Sequence, residues 1–221
     1  IRKEKKEKYF QLPKDLENYK NSKIAYEWSQ ELLKGGYILF FRHAEREKWI
    51  DVQMYDALES DLHNNGLNDS RYAENTYFAK AVCLNTRGKV QTKAMQEVIA
   101  HSKLPFDYVV SSPSCRARQT ATNVFGGYNR LDRILVHKGP YFENMKERNK
   151  KLKDFLLQLP LDKNKNTIVS AHNGVVDNSW FANVLPKSNN GPLLHLEEGG
   201  FYVISKKDGE LILEYEFNNF N

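Results

Sequence analysis

Apolar and polar positions alternate along this chain in two rhythms, one helical and one extended. Ile24, Trp28 and Leu32 recur on one face and predict a helix over 21–34, capped by Asn21 or Ser22 and stopped at Gly35. The apolar run 37–41 then reads as a buried strand. After a polar stretch over 47–80, Val90, Ala94 and Val98 at helical spacing predict a helix over 84–102. Residues 107–111 read as a second buried strand, and a helix over 114–125 starts behind Pro113. The triplet 134–136 reads as a third strand. Leu152, Phe155, Leu156 and Leu159 mark a helix closed by Pro160, and residues 167–171 form a fourth strand. Runs 201–205 and 211–217 read as a hairpin across Lys207-Asp208-Gly209. Strands alternating with helices predict an α/β fold, a three-layer α/β/α sandwich with a mostly parallel central sheet.

Composition changes this picture little. The chain has 221 residues, 28% of them charged, and a net charge of +5. Residues 1–8 hold five cations and two anions. The expectation is a flexible basic extension over 1–20, able to lie near a membrane surface, ahead of one domain over 21–221. No nucleic-acid motif accompanies the basic arm, so nucleic acid is not an expected partner. No apolar run reaches bilayer-spanning length. The segment 47–80 reads as a long variable insertion near the site.

Three strand ends carry the candidate chemistry. The first delivers Arg42, His43 and Arg46; the second leads to Arg116 near a helix N-terminus; the fourth ends at His172. Parallel strands bring all three ends to one edge of the sheet, where α/β proteins bind ligands. Two histidines among permanent cations suit a phosphoryl dianion. A neutral imidazole nitrogen can attack phosphorus in line, while guanidiniums match the equatorial oxygens. A metal site built from His43, His172 and Asp51 or Asp61 is the weaker reading, because arginines repel a divalent cation.

The segments Phe41-Arg42-His43-Ala44-Glu45-Arg46, Ser111-Ser112-Pro113-Ser114-Cys115-Arg116-Ala117-Arg118-Gln119-Thr120-Ala121 and Ser170-Ala171-His172-Asn173-Gly174 resemble the histidine phosphatase superfamily, also called phosphoglycerate-mutase-like, branch 1. Leu84-Asn85-Thr86-Arg87-Gly88-Lys89-Val90-Gln91 is similar to that family's helix entry, and the motifs occur in the family's order over about 37–217. The resemblance implies His43 as nucleophile, with Arg42, Arg116 and His172 holding the phosphoryl group. Arg46 stands at the variable fifth position of the first motif and is a further phosphate-binding candidate. Ala44 departs from the commonest residue there, glycine. Glu143 falls roughly where the branch keeps its general acid, with Glu45 and Asp51 as rivals.

The resemblance extends to compact exported members with cysteines at similar places. It implies a Cys83–Cys115 disulfide and an extracytoplasmic (periplasmic or secreted) home, against a cytoplasmic pair of free thiols. The expected function is metal-independent hydrolysis of phosphomonoesters through a phosphohistidine on His43, with no cofactor and a small phosphorylated substrate. The alternatives are a catalytically silent phospho-ligand binder and a mutase or phosphotransferase. Arg118 reads as a surface or packing residue. Lys48, Arg71 and Lys80 are candidates for further anionic groups of the substrate.

Overall fold

In a computed structural model of the chain, the described residues are 14–47, 82–136, 144–183, 193 and 196–220. Most of the basic extension and nearly all of the 47–80 insertion lie outside them, as do Glu143, Asp51, Asp61, Lys48, Arg71 and Lys80.

The elements run α1 (Lys14–Leu32), β1 (Ile38–Arg42), α2 (Thr86–Ser102), β2 (Phe106–Ser111), α3 (Cys115–Phe125), β3 (Arg130–Leu131), α4 (Met145–Gln158), β4 (Asn166–Ala171), β5 (Phe201–Lys207) and β6 (Glu210–Phe217). The six strands form one sheet in the order β3-β2-β4-β1-β5-β6. Neighbours are parallel from β3 to β1, whereas β5 pairs antiparallel with both β1 and β6. This is the predicted α/β architecture, with helices on both faces.

Strand alternation divides the core in two. Ile38, Phe40, Val110, Val169 and Ala171 face one side, against Leu152, Leu156 and Leu159 of α4. Leu39, Phe41, Val109 and Ile168 face the other, against Leu32 of α1, Met95 and Ile99 of α2, and Val124 and Phe125 of α3. Phe41 stacks on Phe201 with ring centroids 4.5 Å apart, which anchors the strand end just before Arg42.

Two sequence expectations are corrected, and the inward face of a third element, left open by its spacing, is settled. Helix α1 starts at Lys14 rather than near Asn21, and Ile24 is exposed while Trp28 packs on Tyr37 and Tyr215. Burial in its described part begins only at the last turns, where the helix meets the sheet. In α2, Val90, Ala94 and Val98 lie on the exposed face; Gly88, Thr92, Met95 and Ile99 face inward. The valines and the true inward stripe share the same helical period, so spacing alone does not choose between the faces. The triplet 134–136 is no strand. The Asp132 side chain accepts from the Ile134 N–H and turns the backbone into a 3-10 helix at Arg133–Leu135, so Leu135 reaches the core from a turn. The third strand is the two-residue edge β3.

One close approach positions the site. A Cβ on Gly88 would lie 2.0 Å from the Glu45 carbonyl oxygen, so only glycine lets the first turn of α2 press on the loop after β1.

Candidate active site

The parallel register sets the ends of three strands side by side. Arg42 pairs with Ala171, and Ser111 with Ser170, so β1, β2 and β4 stop level with one another. The residues that follow each strand therefore meet at a single point. The His43 and His172 rings stand edge to face with centroids 5.3 Å apart. His43, Arg116 and His172 are buried, at 4%, 1% and 2% exposure.

Hydrogen bonds assign the ring nitrogens. His43 Nδ1 lies 2.7 Å from the Ala44 carbonyl oxygen, which can only accept. Nδ1 therefore carries the proton, and Nε2 keeps the lone pair. Burial, and after it the Arg116 guanidinium, holds the His43 pKa well below the ordinary histidine value of 6.5. The ring is neutral at neutral pH. His172 is oriented by the opposite logic: Arg116 Nη2 donates to its Nδ1 at 3.2 Å, so its Nε2–H donates to Ser112 Oγ at 3.0 Å.

Thr120 couples two of the converging segments. Its Oγ1 accepts from the Ala44 N–H at 3.0 Å and donates to the Arg116 carbonyl at 2.8 Å. The loop after β1 and the helix bearing Arg116 are thus held by one hydroxyl. The ring of contacts continues through Gln91, whose Oε1 accepts from the Glu45 N–H at 3.0 Å while its Nε2 donates to the Glu198 carbonyl at 2.7 Å. Ser112 and Thr120 stand inside the sequence motifs, but no sequence signal singles them out, whereas Gln91 is the glutamine that closes the helix-entry motif. Glu198 lies outside those motifs.

Arg42 is half-buried. Its Nη1 donates to the Leu196 carbonyl and its Nη2 to the Glu198 carboxylate, while Nε is buried with no acceptor among the described residues. Desolvation lowers its pKa, with Glu198 opposing that shift, but a guanidinium stays charged throughout the physiological range. Arg46 bridges to Leu84 through the backbone, donates to the Glu47 carbonyl, and contributes to the positive potential at His43. Arg118 is a packing residue: it is buried, and its Nε donates to the Pro113 carbonyl at 2.8 Å.

Glu45, a rival candidate for the acid, has both carboxylate oxygens engaged at the start of α2. One carboxylate oxygen accepts from Asn85 Nδ2 at 3.1 Å, and the other pairs with Arg87 at 3.1 Å. Its work is to fasten the N-terminus of α2 to the loop. Glu143 and Asp51, the other two candidates for the acid, lie outside the described residues.

Cys83 and Cys115 form a disulfide with Cα atoms 4.8 Å apart. It ties the segment before α2 to the first residue of α3, next to Arg116. That segment also donates from the Leu84 N–H to Gln119 Oε1 at 2.8 Å.

Among the described residues, no group of three or more His, Cys, Asp or Glu side chains could hold a metal ion. Among them, too, no helix is long and apolar enough to cross a membrane.

A family model described as "Histidine phosphatase superfamily (branch 1)" matches residues 38–138. The match takes in β1, His43, the entry to α2 and Arg116. Among solved structures, a proposed alpha-ribazole-5'-P phosphatase from Escherichia coli aligns at 14% identity over 84% of this chain and 98% of its own, with a TM-score of 0.53. A mycobacterial protein described as hydrolase 1 aligns at 14% identity over 83% of this chain and 98% of its own, also at 0.53. At that identity they establish the fold alone. No curated protein sequence matches significantly. Over residues 38–138 this chain is thus similar to the histidine phosphatase superfamily (branch 1), and the likeness takes in the strand end that carries Arg42 and His43 as well as Arg116.

Proposed function

We propose that this chain hydrolyses phosphomonoesters, with His43 carrying the phosphoryl group between two half-reactions. The supporting observation is the neutral His43 ring, its Nδ1–H occupied by the Ala44 carbonyl and its Nε2 left as a nucleophile, packed between Arg42, Arg116 and His172. Nε2 forms a bond to phosphorus as the bond from phosphorus to the leaving oxygen breaks. The leaving alkoxide takes a proton from a carboxylic acid, a role that Glu143 would fill. Water, giving a proton to the same carboxylate, then attacks phosphorus as the bond to Nε2 breaks, releasing phosphate and restoring neutral His43 and the carboxylic acid.

Arg42 and Arg116 offset the charge on the phosphoryl oxygens, and the His172 Nε2–H, now on Ser112, is available as a third donor. Arg46 adds positive potential at longer range. The cationic surroundings supply the charge stabilisation that other phosphatases take from metal ions, so the reaction proceeds without one. The buried disulfide beside Arg116 supports an oxidising, extracytoplasmic compartment.

The test is turnover of para-nitrophenyl phosphate with and without a chelator, alongside trapping of labelled phosphoprotein by a denaturing alkaline quench, in which the phosphorus–nitrogen bond survives. Chelator-indifferent turnover with label on native protein and none on His43→Ala is the expected result. Phosphate binding without turnover on a broad panel of phosphoesters would instead mark a silent phospho-ligand binder.

A further inference from the structure

Glu198 stands in the turn over 196–200 that leads into β5, and that turn is sewn to the catalytic strand end. The Gly199 N–H donates to the His43 carbonyl at 3.2 Å, and the Arg42 N–H donates to the Gly200 carbonyl at 2.9 Å. Gln91 holds the Glu198 carbonyl from the other side at 2.7 Å. Gly199 adopts φ +83°, a left-handed conformation that closes the turn. The backbone thus delivers the Glu198 carboxylate to Arg42 Nη2 at 2.5 Å, with the two side chains only 26% and 21% exposed. A pair this far out of solvent keeps more of its Coulomb energy than a surface pair does.

Its geometry also divides the guanidinium. Nη1 and Nη2 have partners in this turn, leaving the buried Nε–H as a donor without an acceptor among the described residues. The carboxylate therefore fixes which edge of Arg42 can meet an oxyanion. It also places a negative charge within a few ångströms of any dianion bound there. We infer that Glu198 is a positioning residue that aims Arg42 and, through its charge, weakens the pocket's hold on inorganic phosphate so that product leaves. This rests on the reading of Arg42, His43, Arg116 and His172 as a phosphoryl pocket. The two roles separate in substitution. Glutamine keeps the acceptor for Nη2 and removes the charge, whereas alanine removes both.

The experiment titrates inorganic phosphate into the full chain and its E198Q, E198A and E198D variants by calorimetry, and measures kcat on para-nitrophenyl phosphate. The expected result is a phosphate Kd about five- to tenfold lower in E198Q, the size of a screened charge contact. E198D, which keeps the charge, stays within about twofold of the parent Kd. E198A loses about tenfold or more in kcat as the guanidinium loses its aim. A purely structural role predicts weaker phosphate binding in every variant. A folded E198Q that binds phosphate no more tightly than the parent overturns the inference while the parent's own binding and turnover stand. A parent that neither binds phosphate nor turns over overturns the inference together with the phosphoryl-pocket reading.

Discussion

His43 and His172 come from different strands, yet their rings meet edge to face at 5.3 Å because β1 and β4 are adjacent, parallel and in register at Arg42 and Ala171. Arg116 acts on both: it donates to His172 Nδ1, and after burial its charge is the next cause that lowers the His43 pKa. One guanidinium therefore fixes the tautomer of His172 and adds to burial in keeping the His43 ring neutral.

The pH dependence follows from His43. Its folded pKa is depressed below the unfolded value of about 6.5. Between those two values the unfolded state binds more protons. The stability associated with a neutral ring is therefore fully present above pH 6.5 and is lost as pH falls from there toward the folded pKa. The expected slope is about 1.4 kcal/mol per pH unit for this one proton. Denaturant unfolding from pH 7 to 5 should show this slope in the parent and lack one proton's share of it in His43→Gln. The acid limb of kcat/KM should likewise fall below pH 6.5.

Arg116→Lys should keep the charge and lose the shape. An ammonium cannot donate to His172 and still face a phosphoryl group in the forked geometry of a guanidinium. The expected loss is about a hundredfold or more in kcat/KM on para-nitrophenyl phosphate. Thermal stability should change far less than activity.

Thr120→Val removes a hydroxyl without changing the side-chain volume. The Ala44 N–H, bonded to that hydroxyl, is left in a buried site without its acceptor. The expected cost is about 2 kcal/mol in urea unfolding, together with a several-fold drop in kcat as the loop carrying His43 loosens from α3. An unchanged kcat would show that the loop is held in place by other contacts.

The disulfide closes a sequence separation of 32. Loop-closure entropy for that span amounts to about 3–4 kcal/mol. The Cys83→Ala, Cys115→Ala double variant should melt roughly 10 °C lower. Denatured, unreduced parent should show no reactive thiol, and two would refute the pairing.

Legibility in the sequence followed how local each cause is. The strand leading to Arg42-His43, the helix behind Pro113 and the strand ending at His172 could be read directly, because a buried strand is marked by its own apolar run. The residues at those ends named the chemistry, since histidine beside arginine has few uses other than holding an anion. Spacing gave the helix over 84–102 but not its inward face: Val90 and Val98 keep a helical period as Met95 and Ile99 do, and only contact with the sheet decides which row is buried. The strand read at 134–136 failed for a related reason, since one Asp132 side chain turned the backbone.

Glu198 and Thr120 mark the limit. The chain alone determined which groups could do the chemistry, because pKa, charge and donor geometry belong to residue types. Only the tertiary structure decided which groups touch them. Thr120 meets Ala44, and Glu198 meets Arg42, through long-range register and turn geometry that no local pattern encodes.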